Sequence, residues 1–202
     1  MRGYPDRGEA AWLERARHGD ELAFAELVEA YQVPVYNLCY RMMGDPAEAE
    51  DAAQESFWRA YRGLNRYDPS RKFSTWLLSI ASHYCIDLLR KRRMKLVSLD
   101  ELQPWEEMSD PTPGPESNLA HAEQAAEIRV LLNGLGGQDR AAVILRYWYS
   151  LSTEEIAAAL GLTDKAVKSR LHRARRELGA AYGRFESDIV AQGGRHGIAP
   201  AL

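Results

Sequence analysis

The chain has 202 residues, of which 46% are hydrophobic and 27% charged, and its net charge is −3. This composition is ordinary for a folded protein of one domain or two small ones, and it excludes collagen-like, low-complexity and wholly disordered chains. The chain contains neither a run of about 18 apolar residues nor a secretory signal at its start, so we expect a cytoplasmic protein without membrane insertion.

Charge is distributed unevenly along the chain. Residues 61–100 carry a net charge of +6 and residues 163–202 a net charge of +4, whereas residues 101–127 carry −7. Two basic segments separated by an acidic one predict two contacts with a polyanion.

Helical periodicity dominates the first half. Apolar residues between Phe24 and Met42 recur at the spacing of one helix face, and we expect Asp20 to cap the start of this helix and Gly44 its end. Pro34 predicts a kink or a local irregularity within it. Asp45-Pro46 is typical of the start of a second helix, and a further helix is predicted from about 73 to 95.

Residues 97–117 contain four prolines and no apolar period, which predicts a flexible linker. We therefore expect a first domain over residues 1–96, a second over 118–182 and a flexible tail over 183–202. Helices in the second domain are predicted at about 118–133, 137–150, 152–160 and 163–182. No segment alternates like a strand, so the predicted fold class is all-α, with two small helical domains.

The strongest local signal is a helix-turn-helix over residues 152–175. Ser152 and Glu155 form a capping box, Gly161 permits a left-handed turn, and Thr163 caps the second helix. That helix presents a polar, mainly basic face suited to a DNA major groove. We interpret as DNA-contacting residues Thr163, Lys165, Lys168, Ser169, Arg170, His172, Arg173 and Arg176.

A second basic segment interleaves cations with aromatic rings. Cations hold phosphates and rings stack on unpaired bases, so this segment is a candidate nucleic-acid surface. A core aromatic cluster beside a solvated basic helix end would produce the same pattern. The residues concerned are Arg66, Tyr67, Arg71, Lys72, Phe73 and Trp76.

One face of the 45–64 helix is acidic and polar but includes a tryptophan. Asp51, Gln54, Glu55, Trp58 and Arg62 lie on this face, which indicates either a protein partner or a solvated surface.

Other side chains predict no catalytic, metal or cofactor site. Cys39 and Cys85 lie far apart in apolar surroundings and are expected to be buried free thiols. The five histidines lack the spacing of a metal site or a catalytic triad.

Several motifs resemble those of one protein family. The segments Asp51–Phe57, Phe73–Ala81 and Asp87–Arg90 resemble conserved region 2 of bacterial RNA polymerase sigma factors, and Val167–Arg175 resembles region 4. Their order and the short linker are similar to those of the extracytoplasmic-function (ECF, group 4) sigma factors. The resemblance covers roughly residues 9–180.

The resemblance implies a promoter-specificity subunit that initiates transcription and has no catalytic activity of its own. The residues that bind core polymerase, by docking on its β′ clamp helices, would be Asp51, Gln54, Glu55, Phe57 and Trp58. The helix-turn-helix would read the −35 element and contact the β flap. The −10 element would be recognised and opened by Arg66, Tyr67, Arg71, Lys72, Phe73, Trp76, His83, Asp87 and Arg90.

Two further points follow from the resemblance. The family usually has asparagine where this sequence has His83, and many members are controlled by an anti-sigma factor, which is therefore an expected partner. The acidic linker would run through the polymerase cleft.

Two other classes of protein also contain a helix-turn-helix. A dimeric repressor or activator would bind DNA without polymerase and would need a ligand pocket or dimer face in residues 1–96. A DNA recombinase would need a separate catalytic domain, usually with a sheet, and the first half has no strand pattern.

Overall fold

The computed structural model describes residues 8–99, 126 and 128–193. Every regular element in this part of the chain is helical, which confirms the predicted all-α class. The first half contains α1 (Glu9–Arg17), α2 (Glu21–Met43), α3 (Pro46–Gly63), a short 3-10 turn (Leu64–Arg66) and α4 (Phe73–Leu99). The second half contains α5 (residues 128–133), α6 (Gly137–Tyr147), α7 (Thr153–Leu160) and α8 (Asp164–Gly193).

Local capping explains the boundaries of α2 and α3. The Asp20 carboxylate accepts a hydrogen bond from the Ala23 N–H at 3.1 Å, and the Asp45 carboxylate accepts one from the Glu48 N–H at 2.8 Å. Gly44 ends α2 in the left-handed region, with φ of 80°. The predicted caps are confirmed, and α2 continues as one helix through Pro34.

Helices α1 to α4 pack around one apolar core. Tyr31, Leu38 and Phe73 are among its fully buried side chains. Cys39 and Cys85 lie in the same core as buried free thiols, as predicted. A hydrogen bond with Cys39, together with burial, raises the pKa of the Cys85 thiol well above its usual range.

The second bundle, α6 to α8, packs against the first through α2 and α4. Arg140 on α6 is 5% exposed and donates through Nη1 to the Met42 carbonyl oxygen at 2.5 Å. The Tyr149 hydroxyl donates to the carbonyl oxygen of Pro34 at 2.6 Å. The two predicted helical domains are therefore in direct contact.

Two helices are longer than predicted. α4 continues to Leu99, because the first helix-breaking proline downstream of it is Pro104. α8 continues to Gly193 instead of ending at 182, because a single interior glycine such as Gly183 costs only about 1 kcal/mol. The rest of the predicted linker, up to residue 117, and residues 194–202 of the predicted tail lie outside the described residues.

No helix in the described residues is both long and apolar enough to cross a bilayer. In the same part of the chain, no cluster of three or more His, Cys, Asp or Glu side chains has an arrangement that could hold a metal ion.

Candidate nucleic-acid and protein interfaces

The helix-turn-helix forms as its capping residues predict. The Glu155 N–H donates to Ser152 Oγ at 3.1 Å, and the Ser152 N–H donates to the Glu155 carboxylate at 2.9 Å. These hydrogen bonds complete a capping box and lower the pKa of Glu155. Gly161 has φ of 63°, and Thr163 Oγ1 accepts from the Ala166 N–H at 3.2 Å.

Helix α8 buries one side and exposes the other. Val167, Leu171 and Ala174 are at most 2% exposed and pack into the second bundle. Of the predicted −35 residues, only Arg170 is half-buried. The exposed ones are Thr163, Lys165, Lys168, Ser169, His172, Arg173 and Arg176.

A buried carboxylate holds two of these arginines. Asp139 on α6 is 6% exposed and accepts from Arg170 Nη1 at 2.7 Å. It also accepts from Arg173 Nε at 2.9 Å and from Arg173 Nη2 at 2.6 Å. The hydrogen bonds and the charge of Asp139 raise the pKa of Arg173. Asp139 therefore fixes how far both guanidinium groups extend from α8.

Asp139 is a functional candidate that the sequence analysis missed. An acidic residue in the first turn of a helix is ordinarily read as a solvated partner of the helix dipole. The available signal was its position three and four residues before Ala142 and Val143, which are buried. Asp139 therefore shares the apolar face of α6, where an acidic side chain requires a cationic partner.

The aromatic residues of the predicted −10 surface form a compact cluster. Tyr67 is 6% and Phe73 1% exposed, with ring centroids 5.6 Å apart, and Trp76 is half-buried at 5.2 Å from Tyr67. The Tyr67 hydroxyl donates to the Arg71 carbonyl oxygen. These contacts favour the core-cluster interpretation for Tyr67 and Phe73, whose faces are closed to a base in this conformation. Trp76 remains the accessible ring.

The polar residues of this surface divide between a turn and one side of α4. Arg66, Arg71 and Lys72 are exposed around the turn, and Lys72 Nζ lies 3.1 Å from the Glu155 carboxylate of α7.

His83, Asp87 and Arg90 follow one another along α4 at helical spacing. His83 is exposed and donates through Nδ1 to the Ser79 carbonyl oxygen at 2.8 Å, while Arg90 lies 3.3 Å from the Asp87 carboxylate.

The predicted polymerase-binding face of α3 is largely open. Asp51 and Gln54 are exposed, and Trp58 is 55% exposed and stacks on Tyr61 with centroids 6.2 Å apart. Glu55 is half-buried and pairs with Arg59 at 2.7 Å. The remaining predicted residue of this face, Phe57, is half-buried against the core.

Two family models match the chain. The model described as Sigma-70 region 2 matches residues 27–94, and the model described as Sigma-70, region 4 matches residues 125–178. The first range begins within α2 and ends within α4, and the second contains the helix-turn-helix.

Curated proteins of similar length also match. The ECF RNA polymerase sigma factor SigW of Bacillus subtilis is 35% identical over 172 residues, which cover 82% of this chain and 92% of SigW. The RNA polymerase sigma factor CnrH of Cupriavidus metallidurans is 31% identical, with 87% of this chain and 95% of CnrH covered.

Two solved structures share the fold. CnrH in complex with the cytosolic domain of CnrY superposes with a TM-score of 0.63 at 24% identity, covering 88% of this chain and 99% of that one. The sigma factor RpoE of Bartonella quintana, in complex with the anti-sigma factor NepR, superposes with a TM-score of 0.61 at 21% identity. The superposition covers 79% of this chain and 96% of RpoE. At these identities the likeness is one of architecture.

Proposed function

The chain belongs to the ECF family of RNA polymerase sigma factors, and from this premise we propose that it binds core RNA polymerase and directs it to promoters through −10 and −35 contacts. The observation that carries this proposal is the presence of a region 2 bundle and a region 4 helix-turn-helix on one chain. Recognition and strand opening belong to this chain, and RNA synthesis to the polymerase in the cytoplasm.

We assign −35 recognition to the exposed side of α8. Lys165 and Ser169 lie in its first two turns, where a helix in the major groove meets base edges. Arg170 lies beside them. Arg173 and Arg176 lie further along and are suited to phosphates.

This division of the helix predicts two different losses. Lys165→Ala is expected to flatten discrimination at a single −35 position by about 1–3 kcal/mol, because a base contact is lost. Arg176→Ala is expected to weaken binding to all −35 sequences alike, because a phosphate contact is lost. It should also reduce the slope of log affinity against log salt concentration by about one. Holoenzyme binding to a library of −35 variants at several salt concentrations measures both. The same uniform loss in both variants would reject base reading by this helix.

We assign −10 recognition to the turn before α4 and to the exposed side of α4. Trp76 is the accessible ring of the aromatic cluster, and His83 and Arg90 supply donors along the helix. Tyr67 and Phe73 support this surface from the core and reach a base only after a local rearrangement.

We assign polymerase binding to α3 and anti-sigma binding to the chain as a whole. An exposed tryptophan within a polar rim is typical of a protein interface. The face of α3 that contains Trp58 is therefore our candidate for the surface that binds the β′ clamp helices. RpoE is bound to the anti-sigma factor NepR in its solved structure, and CnrH to the cytosolic domain of CnrY, which supports an anti-sigma partner here.

Contact between the two bundles bears on how promoters are bound. Lys72, a −10 candidate, pairs with Glu155 of α7, so the −10 and −35 surfaces belong to one compact body. Binding two separated promoter elements requires these surfaces to move apart. We therefore propose that core polymerase holds the chain open.

Footprinting with and without core polymerase tests the proposed function. Genomic fragments are first selected by run-off transcription with core polymerase from the same organism. We expect protection of −10 and −35 sequences only when core polymerase is present, because the free chain is closed. The control is the Trp58→Ala variant, which is expected to bind core polymerase more weakly and so to give weaker protection. Strong sequence-specific protection by the chain alone would favour the repressor or activator alternative.

A further inference from the structure

A cavity of about 1110 Å³ lies between the two bundles. Its walls come from the last part of α4, from residues 133–140 and from α8. The charged side chains that line it are one carboxylate, Asp139, and six arginines: Arg90, Arg92, Arg93, Arg140, Arg170 and Arg173. The cavity is therefore strongly positive.

Carboxylates neutralise only part of this charge. Asp139 serves both Arg170 and Arg173, and the partners of Arg92 and Arg90 are Glu48 and Asp87, which lie outside the cavity lining. These outer pairs are partly exposed, so an incoming anion can replace them at small cost.

Two arginines have no carboxylate partner within the described residues. Arg93 makes no ion pair there, and Arg140 donates only to carbonyl and amide oxygens while its Nε has no hydrogen-bond partner. Burial and the nearby charge of Arg92 lower the pKa of Arg140 to about 10.

The N-terminus of α6 opens onto the same cavity. Its N-cap is Gly136, so no side chain caps the free N–H groups, and the Asp139 carboxylate of the first turn is bound to Arg170 and Arg173 instead. A Cβ atom at Gly136 would meet nothing within 4 Å. Unpaired N–H groups at a helix N-terminus bind phosphate oxygens and attract negative charge.

We propose that this cavity binds a linear triphosphate group, as carried by inorganic polyphosphate or by a nucleoside triphosphate. Guanidinium groups bind phosphates in a bidentate manner, and here they converge from both bundles on an uncapped helix N-terminus. An acidic peptide matches the charge, but the combination of guanidinium groups and backbone N–H donors is more typical of phosphate.

The bound anion would join the two halves. It contacts α4 on one side and α8 on the other, so it stabilises the closed arrangement. The anion also binds Arg90, Arg170 and Arg173, which we assigned to promoter contacts. It would therefore compete with promoter DNA, and this consequence rests on the proposed function. Binding of the anion to the chain is measured without DNA or polymerase. Failure of the anion site can therefore be distinguished from failure of the proposed function.

Calorimetric titration of the full chain with inorganic tripolyphosphate tests the site. The Arg92→Gln/Arg93→Gln variant is expected to bind at least about tenfold more weakly, because two charge-assisted contacts are lost. The control is Lys91→Gln/Lys95→Gln, which removes the same charge from exposed positions of α4 outside the cavity. The affinity of this control for tripolyphosphate is expected to stay within about twofold of that of the parent chain. Equal weakening in both variants would indicate diffuse attraction and overturn the proposal.

A second pair of variants tests the N-terminus of α6. Gly136 has φ of −60° and ψ of 146°, which suit any residue, so Gly136→Asp and Gly136→Ser can both cap the helix. Only Gly136→Asp places a negative charge there, and it is expected to weaken tripolyphosphate binding at least about fivefold relative to Gly136→Ser. Thermal melting verifies that both variants fold. Equal affinities would overturn the role of this helix end.

Two comparisons identify the ligand. ATP binding as tightly as tripolyphosphate assigns a nucleoside triphosphate, and ATP binding more weakly assigns inorganic polyphosphate. Neutralising Glu101, Glu106, Glu107 and Asp110 in the linker tests the acidic-peptide alternative. If tripolyphosphate binds the chain only after this change, the linker is the occupant and the proposal is wrong.

Discussion

Arg140→Met is expected to lower the free energy of unfolding by about 3 kcal/mol. Arg140 is 5% exposed, and its guanidinium group donates to the carbonyl oxygens of Met42 and Asn133 and to the Asn133 side chain at 2.5–3.0 Å. Methionine fills much of the same volume but donates no hydrogen bond. The acceptors are mainly backbone carbonyls, which cannot be replaced by apolar groups, so the carbonyl oxygen of Met42, a fully buried residue, is left unpaired.

Removal of the buried charge makes an opposing contribution. The lowered pKa of Arg140 means that burying its charge already costs free energy, and methionine removes that cost. We expect the loss to be larger, because four acceptors, including the Met42 carbonyl oxygen of the first bundle, lose their donor together.

Urea denaturation followed by circular dichroism measures this effect, and the same helix provides a matched control. Arg146 is exposed and donates one hydrogen bond, to the Leu151 carbonyl oxygen at 2.9 Å. Arg146→Met should lower the free energy of unfolding by less than about 1 kcal/mol. Similar losses in the two variants would mean that Arg140 does not join the bundles energetically.

Trp58→Ala is expected to weaken binding to core polymerase by about 2–4 kcal/mol, or roughly 30- to 1000-fold. The indole is 55% exposed in the free chain and has Asp51 and Gln54 on the same open face of α3. An exposed tryptophan is stabilised by burial against a partner, whereas its removal costs the free chain little. Affinity is measured with fluorescently labelled chain and core polymerase.

Two further variants make this result specific. Asp51→Lys should also weaken binding, because it reverses the charge on the same face. Leu22→Ala removes an apolar side chain that is 76% exposed on α2, outside this face, and should leave the affinity unchanged. Core binding that survives both Trp58→Ala and Asp51→Lys would reject α3 as the polymerase interface.

Local chemistry made much of the fold predictable. Asp20, Asp45 and Ser152 cap helices through side-chain hydrogen bonds to N–H groups three residues away, and Gly44 and Gly161 end helices because glycine adopts positive φ without strain. These interactions depend on neighbouring residues, so the sequence alone determines them. The helix-turn-helix and its buried apolar stripe were therefore predictable.

The ends of two helices were not predicted correctly, because the local stop signals there are weak. α4 and α8 both extend beyond their predicted ends, since neither segment contains a proline and one glycine is a weak stop signal. Periodicity located these helices but did not determine their last turns.

Burial and long-range pairing were decided by the tertiary structure. Tyr67 and Phe73 have the composition of a base-stacking surface, but both are buried in the core. Phe73 packs on Tyr31 of α2, and Tyr67 packs on Phe73 and Trp76 of α4. Asp139 pairs with Arg170 and Arg173, more than thirty residues away, and Arg140 bonds to Met42 across the two bundles. Spacing along the chain determines which residues share a helix face. Only the packing of one helix on another determines which faces meet, and so which charges are neutralised and which line a cavity.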